Sequence, residues 1–307
     1  MDDLVSICII SYNSEKTVTE TLDSIYNQSY KNLELIVSDD ASKDDTVSVV
    51  SSWLEKNKSR FVNSKLITVT SNTGTAINCS RCISAANGAW VKLLAADDML
   101  KENAIAEFIN AAQIMPNDKF FCCDLEPFSD DKAVSEEILK GLDNFFNVVK
   151  WSVEKKRETI DYFYGIMGPA WFFSKQLFDT VGGFDERFPM FEEWPFVYKI
   201  IKSGYDIKPV DKKLVLYRVS TTSLTGNTKS PAAKKLLQCK IDFFNIVRKP
   251  VLLKKHMFLR VWEEIIRFKV QSIQTNSNNK FVCFFAKFLY LFSPRHCISF
   301  ILKKINF

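Results

Sequence analysis

No stretch of this sequence is both long and apolar enough to cross a bilayer. A spanning helix needs about 20 such residues, and the most hydrophobic run, FVCFFAKFLYLF, is interrupted by Lys287. The start, MDDLVSICII, is acidic and passes straight into a strand-like run. It lacks the basic region and small-residue cleavage site of a secretory signal, so a cytoplasmic location is expected. Cysteines are present, eight of them, but most lie within apolar stretches, as Cys8, Cys122 and Cys283 do. That placement suits reduced, buried thiols and argues against a disulfide framework. Cys79-x-x-Cys82 has no second pair, which argues against a cysteine metal site. No internal repeat, low-complexity segment or nucleic-acid-binding motif is evident, and nucleic acid is not an expected partner. With 307 residues and 47% hydrophobic content, the chain can bury a full core in one large domain or two smaller ones, and disorder is excluded.

Three apolar runs stop abruptly at polar or acidic residues: VSICIISYN from Val5, LIVSDDASKDDT from Leu35 and VKLLAADDML from Val91. Open α/β sheets bind ligands outside the carboxyl ends of their strands, so carboxylates gathered there point to a polar ligand with a cation. Between the runs, Val18, Leu22, Ile25 and Tyr26 recur at helical spacing, and a strand over Leu33–Val37 completes a βαβ unit. Ser42 and Asp45 form a capping-box pattern for a second helix, with Val47, Val50 and Leu54 on its buried face. The strand KLITVT follows and ends at Asn72. A helix is expected over 75–87, stopped by Gly88, then the strand AWVKLLA. Further helix and strand are expected over 104–115 and FFCCDLEPF. Residues 130–158 have mixed charge and no steady period, and are expected to form a loop or helix covering the site.

The motifs carry a resemblance. Asp39-Asp40-Ala41-Ser42-Lys43-Asp44-Asp45-Thr46 is similar to Asp-Asp-Gly-Ser-Thr-Asp-Gly-Thr of the GT-A-fold inverting glycosyltransferases of sequence family two, a group that includes many bacterial O-antigen and capsule sugar transferases. Asn72-x-Gly74, Ala95-Ala96-Asp97-Asp98 and Gly182-Gly183-Phe184-Asp185-Glu186 match further family motifs in order and spacing, over residues 4 to about 225. The resemblance implies an α/β fold with a mixed, mainly parallel sheet and helices on both faces, and a nucleotide-sugar-binding catalytic domain at 1–225. Charge and phenylalanine content add a C-terminal basic helical segment at 226–307.

It also implies roles. Ser11, Tyr12, Asn13, Asp39, Asn72, Asp97 and Arg218 are expected at the nucleotide sugar. A carboxylate such as Asp39 suits the imide N–H of uracil, and an aromatic such as Tyr12 suits the face of the base. Asn13 has a second reading as a cap of the first helix. Asp40, Ser42, Asp44 and Asp45 have one as helix-start chemistry. Asp97 and Asp98 offer hard oxygen ligands to Mn²⁺ or Mg²⁺ on a sugar-nucleotide diphosphate. The family's first Asp of that motif is Ala95 here, and the histidine that often follows its Tyr-Arg pair is Ser220, after Tyr217-Arg218. Arg218 is expected to contact a phosphate or to stand solvated. Glu193 aligns with the catalytic base, with Glu192 in reserve, because an inverting transfer needs one carboxylate to take the acceptor's proton. Trp171 and Trp194 suit either sugar stacking or core packing. The implied activity moves a hexose from UDP-glucose or UDP-galactose to a lipid-linked, undecaprenyl-diphosphate-type acceptor. A noncatalytic sugar-nucleotide-binding or membrane scaffold protein is the alternative that Ala95 and Ser220 keep open.

Charge divides the chain. From Thr221 onward sixteen Lys and Arg face three acids, a net of +13, whereas residues 1–220 carry a net of −8. The basic part also holds eleven of the 26 phenylalanines. Helices lying on an anionic membrane surface would use that composition, and so would ordinary helices with solvated cations.

Overall fold

The computed structural model describes residues 3–141, 145–163, 165–220, 229–277, 279–289 and 293. The first two apolar runs form β1 (Val5–Ser11) and β2 (Leu33–Asp39), buried along nearly their whole length without alternation. That pattern marks parallel strands covered on both faces. β3 (Asn63–Thr68) and β4 (Trp90–Ala95) flank them in parallel, giving the local order β3-β2-β1-β4. β5 (Met99–Leu100), β6 (Phe120–Phe128), β7 (Trp171–Ser174) and β8 (Lys208–Arg218) extend one mixed sheet of eight strands, ordered β3-β2-β1-β4-β7-β6-β8-β5. β4–β7, β6–β7 and β5–β8 are the antiparallel pairs.

The connections are α1 (Val18–Tyr26), α2 (Thr46–Asn57), α3 (Thr75–Ser84), α4 (Ala104–Ile114), α5 (Glu136–Gly141), α6 (Val153–Thr159), α7 (Lys175–Thr180) and α8 (Glu193–Lys202). Two expected boundaries move. α2 begins at Thr46 rather than Ser42, because the Ser42 hydroxyl and amide both turn back to Asp39 (2.5 and 2.8 Å) instead of capping a helix. α3 ends at Ser84, before Gly88. Gly88 serves close approach instead: a Cβ there would lie 2.5 Å from Ser6 Oγ and 2.7 Å from Leu4 O. Its N–H donates to Ser6 Oγ and to the buried carboxylate of Glu34 (2.8 and 3.1 Å).

An aromatic core joins β6, β7, α7 and α8. Phe184, the aromatic of the Gly-Gly-Phe-Asp-Glu segment, packs on Phe178 and Phe196 with ring centroids 5.2 and 4.8 Å apart. Gly182 and Gly183 just before it take φ of 73° and 60°, a left-handed helix end that glycine adopts without strain. Trp171 and Trp194 are buried, Trp171 among Phe120 and Phe196, so the structure assigns both to packing and not to a sugar face. Within 130–158 the described residues include α5, a short turn over Phe145–Val148 and α6, the helical form of the two expected, and Lys156 and Lys150 pair with Asp206 before β8 and Asp211 within it (2.9 and 2.8 Å).

The chain divides into two compact units, 1–158 with 164–220, and 159–163 with 221–307. The second is helical: α9 (Pro231–Phe243), a π-turn over Phe244–Arg248, α10 (Lys249–Lys254), α11 (Phe258–Asn276) and α12 (Lys280–Phe288). Its core is Phe244, Leu252, Val261 and Phe268, with Tyr162 packed against it. No described helix is long and apolar enough to cross a membrane. Of the second basic, phenylalanine-rich stretch, 280–307, α12 covers the start, and all of 290–307 but Ser293 lies outside the described residues.

Candidate active site

Three adjacent strands end at one level. Ser11 of β1 is in register with Asp39 of β2, and Ile10 with Ala95 of β4. The loops that leave these ends are tied together before any ligand arrives. The Ser11 hydroxyl donates to Asp39 Oδ2 (2.9 Å), and the Asn13 and Ser14 amides donate to the Ser42 and Thr46 hydroxyls (2.8 and 2.7 Å). The Lys43 amide donates to Asn13 Oδ1 (2.8 Å), and the Glu15 amide to Asp44 Oδ2 (3.1 Å). Asn13, at φ 52°, therefore bridges two loops and does not cap α1, whose N-cap is Thr17. Asp44 does serve the helix start, accepting from the Thr46 amide and hydroxyl. Desolvation acts to raise its carboxyl, but these bonds and that from Glu15 hold it below the usual range. Tyr12 stands 47% exposed beside buried Asp39, leaving its ring face open.

Asp40 has a role that the helix-start reading missed. Its buried carboxylate accepts from the Thr73 and Gly74 amides (2.9 and 2.8 Å), from the Thr73 hydroxyl (2.6 Å) and from Arg81 (3.3 Å). It thereby shapes the loop that carries Asn72, which is itself exposed. Gly74, at φ 93°, lets this loop meet the segment before α8: a Cβ there would lie 2.6 Å from Pro189 O, which also accepts from the Ala76 amide (3.0 Å). The second sequence motif is thus in direct contact with the segment that follows the fourth.

Beyond β4, Asp98 is buried and its Oδ1 accepts the Arg218 amide (2.9 Å), while Asp97 is half-buried. Desolvation raises both carboxyls, and for Asp98 the neighbouring Asp97 charge adds to it. Arg218 corrects an expectation. Its guanidinium is neither solvated nor free for a phosphate: it donates to the Asp97 carbonyl (2.9 Å), pairs with Glu20 and Asp130, and stacks 4.6 Å from the Phe128 ring centroid. It holds the Asp97–Asp98 turn against the end of β8. Among the described residues, no three His, Cys, Asp or Glu side chains gather into a cation cage. Adjacent desolvated carboxylates at a strand end nonetheless fit a hard divalent cation whose remaining ligands are diphosphate oxygens and water.

Glu193 opens α8, and its Oε1 accepts the Gly168 amide at 2.6 Å. A Cβ on Gly168 would lie 2.7 Å from that oxygen, so glycine is what permits the approach. Glu192 beside it is pushed up to about 8, by desolvation first and then by the charge of Glu193. Tyr217 relates the acidic groups to one another. Its hydroxyl is raised well above the ordinary range, by desolvation first and then by the fields of Asp98, Glu193 and Asp97. The turn Gly168–Ala170 that holds Glu193 is itself met from β4 by Lys92, fully buried, whose ammonium donates to the Pro169 carbonyl. A lone lysine inside the apolar run WVKLLA was the available signal for that residue, and Arg81, Gly168 and Asp130 had none.

Residues 6–182 match the sequence model of Glycosyl transferase family 2, more than half of the chain. The chain belongs to this family. Among its family-2 relatives is the Escherichia coli UDP-Glc:alpha-D-GlcNAc-diphosphoundecaprenol beta-1,3-glucosyltransferase WfaP, 31% identical over 39% of this chain and 44% of that protein. The Campylobacter jejuni GalNAc(5)-diNAcBac-PP-undecaprenol beta-1,3-glucosyltransferase is 28% identical over 54% of this chain and 58% of that protein. The chain thus spans about half the length of these curated relatives. Staphylococcus aureus TarS in complex with UDP-GlcNAc superposes with a TM-score of 0.56 at 18% identity, covering 89% of this chain and 82% of that one. The mannosyltransferase PcManGT from Pyrobaculum calidifontis, in complex with GDP-Man and Mn²⁺, gives 0.56 at 19%, covering 85% and 75%. These two establish the GT-A fold.

Proposed function

We propose that this family-2 chain is an inverting hexosyltransferase. It moves one hexose from UDP-glucose or UDP-galactose to a lipid-linked, undecaprenyl-diphosphate-type saccharide in surface polysaccharide assembly, working peripherally at the inner face of the cell membrane. The observation that carries the reading is convergence: exposed Tyr12, Asp39 and the Asp97–Asp98 pair follow adjacent strand ends, and Asp97, Asp98 and Glu193 at the start of α8 all act on the Tyr217 hydroxyl. The relatives that act on diphosphoundecaprenol saccharides support the acceptor class.

In this reading, uracil lies on Tyr12 with its imide N–H toward Asp39 Oδ1, which accepts from the Ser42 amide and keeps a further lone pair. Ser11, Asn13 and Asn72 frame the ribose and diphosphate. Asp97 and Asp98 would hold Mn²⁺ or Mg²⁺, which supplies charge neutralisation for the departing diphosphate. Glu193 takes the proton of the acceptor hydroxyl as its oxygen attacks the anomeric carbon opposite the leaving UDP. Glu192 is the reserve for that step, second to Glu193 because desolvation and the Glu193 charge raise its carboxyl.

The test is a panel of nucleotide sugars, with Mn²⁺ or Mg²⁺, assayed against undecaprenyl-diphosphate-linked acceptors. Transfer from a UDP-hexose with inversion at the anomeric carbon is expected. Neither transfer nor donor hydrolysis with any donor would leave a noncatalytic sugar-nucleotide-binding or membrane scaffold protein.

A further inference from the structure

The helical unit exposes apolar side chains on α12, at Phe281, Val282, Phe284 and Phe288, and again at the corner between α10 and α11. Where α10 gives way to α11, the chain turns through His256 at φ 57°, and Leu253, Phe258, Leu259 and Trp262 are 39, 57, 54 and 45% exposed. Phe258, Leu259 and Trp262 are three and four residues apart and share one face of α11, while Val261, Glu264 and Phe268 are buried. Aromatic and aliphatic groups left together on a surface mark a contact site. Lys249 and Lys254 lie on α10 and Lys269 on α11, without a salt-bridge partner among the described residues, while Glu263 beside Trp262 is paired with Arg260. An acidic protein would satisfy the lysines but not the apolar face. A tryptophan and a phenylalanine on helices that also carry unpaired lysines match the boundary of an anionic bilayer, where amphipathic rings sit at headgroup depth.

We propose that the α10–α11 corner is the element that seats this protein on an anionic lipid surface, with Phe258, Leu259 and Trp262 entering the headgroup region and Lys249, Lys254 and Lys269 against lipid phosphates. The inference does not depend on the transferase reading. The test is co-sedimentation of the full chain with phosphatidylglycerol-containing and pure phosphatidylcholine vesicles, at low and high salt. The intact protein is expected on the anionic vesicles at low salt. Combined Phe258→Ser, Leu259→Ser and Trp262→Ser should lower the bound fraction about tenfold or more. Combined Lys249→Glu and Lys254→Glu should lower it about tenfold and flatten its salt dependence. Circular dichroism should be unchanged in both. Unaltered vesicle binding in the serine variant overturns the assignment, as does equal binding to phosphatidylcholine. A shift from dimer to monomer in that variant, with vesicle binding intact, would make the corner a self-interface instead.

A separate observation concerns Lys92, a fully buried lysine that makes no salt bridge among the described residues and whose nearest acidic field is that of Asp98. Its ammonium donates to the Leu93 carbonyl (3.1 Å) and to the Pro169 carbonyl, in the turn whose Gly168 amide grips Glu193 at 2.6 Å. We infer that Lys92 is a positioning residue that fixes the 168–170 turn and, through it, the Glu193 carboxylate; this rests on Glu193 being the base. Lys92→Met keeps length and removes the donor. Turnover should fall about tenfold with the donor KM within about twofold, because a small displacement of a base is enough to slow transfer. The pH profile of kcat should move with it. Gly168→Ala should reproduce the defect, and the double variant should add little. Inactive wild-type enzyme would count against the transferase reading itself. With active wild-type, an unchanged kcat and pH profile in Lys92→Met overturns the inference, as does a parallel loss of melting temperature, donor binding and turnover.

Discussion

The two units of this chain treat buried charge in opposite ways. In the sheet unit the buried charges are mostly carboxylates, and their partners are amides and hydroxyls of the loops they organise: Asp39 with Ser11 and Ser42, Asp40 with Thr73 and Gly74, Glu34 with Gly88. In the helical unit the central charge is a cation. Arg248 is buried between the Asp161 carbonyl (2.8 Å) and Glu264 (3.5 Å), and Lys255 reaches Asp161 Oδ2 (2.6 Å). A carboxylate can collect several backbone N–H groups and so set a loop's shape, which suits a site. A guanidinium reaches across helices and locks their packing, which suits a scaffold. The difference teaches that charge in the first unit shapes chemistry, and in the second it shapes stability.

Substitutions should split along that line. The largest effect is expected at Glu193→Gln, which keeps size and loses basicity: turnover should fall by about 10² or more with UDP-hexose binding retained. Steady-state kinetics beside a binding titration checks this. If Glu192→Gln shows that loss and Glu193→Gln does not, the role moves by one residue. In the helical unit, Glu264→Ala leaves Arg248 buried without its carboxylate, and chemical denaturation should record a loss of about 3 kcal/mol. The double variant Arg248→Met with Glu264→Met should recover most of it, since a packed apolar pair of similar volume replaces a buried ion pair at little cost. Failure of the double variant to recover would mean that Arg248 is held mainly by the Asp161 carbonyl.

Much of this arrangement was legible in the sequence, and the part that was not has a common physical cause. The strands β1, β2 and β4 announced themselves as apolar runs ending in polar or acidic residues, and their register brought Asp39 to the same edge as Asp97 and Asp98. What period and capping rules missed were side chains whose partners are distant in sequence. Ser42 reads as a cap for the residues after it, yet its hydroxyl and amide turn back to Asp39. Arg218 reads as a free cation beside a phosphate site, yet Glu20 and Asp130 converge on it from elsewhere in the fold. Gly88 reads as a helix stop, yet it answers to Ser6 and Leu4. Local chemistry is ambiguous wherever a polar group has both a near and a far partner, and only the tertiary fold decides between them.

The pH dependence of stability sharpens the comparison most, because it separates the two glutamates by stability instead of rate. Burial and the Glu193 charge move the Glu192 carboxyl from its ordinary 4.5 up to about 8. Below about 4.5 native and unfolded chains both hold this proton, and above about 8 neither does. Between these limits the native state binds more protons than the unfolded one, so stability falls as pH rises through the window. This slope runs opposite to that of a salt-bridged carboxylate, which gains stability over its own range. Glu192→Gln abolishes the titration. Its melting temperature should therefore depend less on pH between about 5 and 8 than that of the unsubstituted protein, and should exceed it at the alkaline end. Parallel melting curves across that range would show that Glu192 is ionised in the native state, and would restore it as a rival to Glu193 for the acceptor's proton.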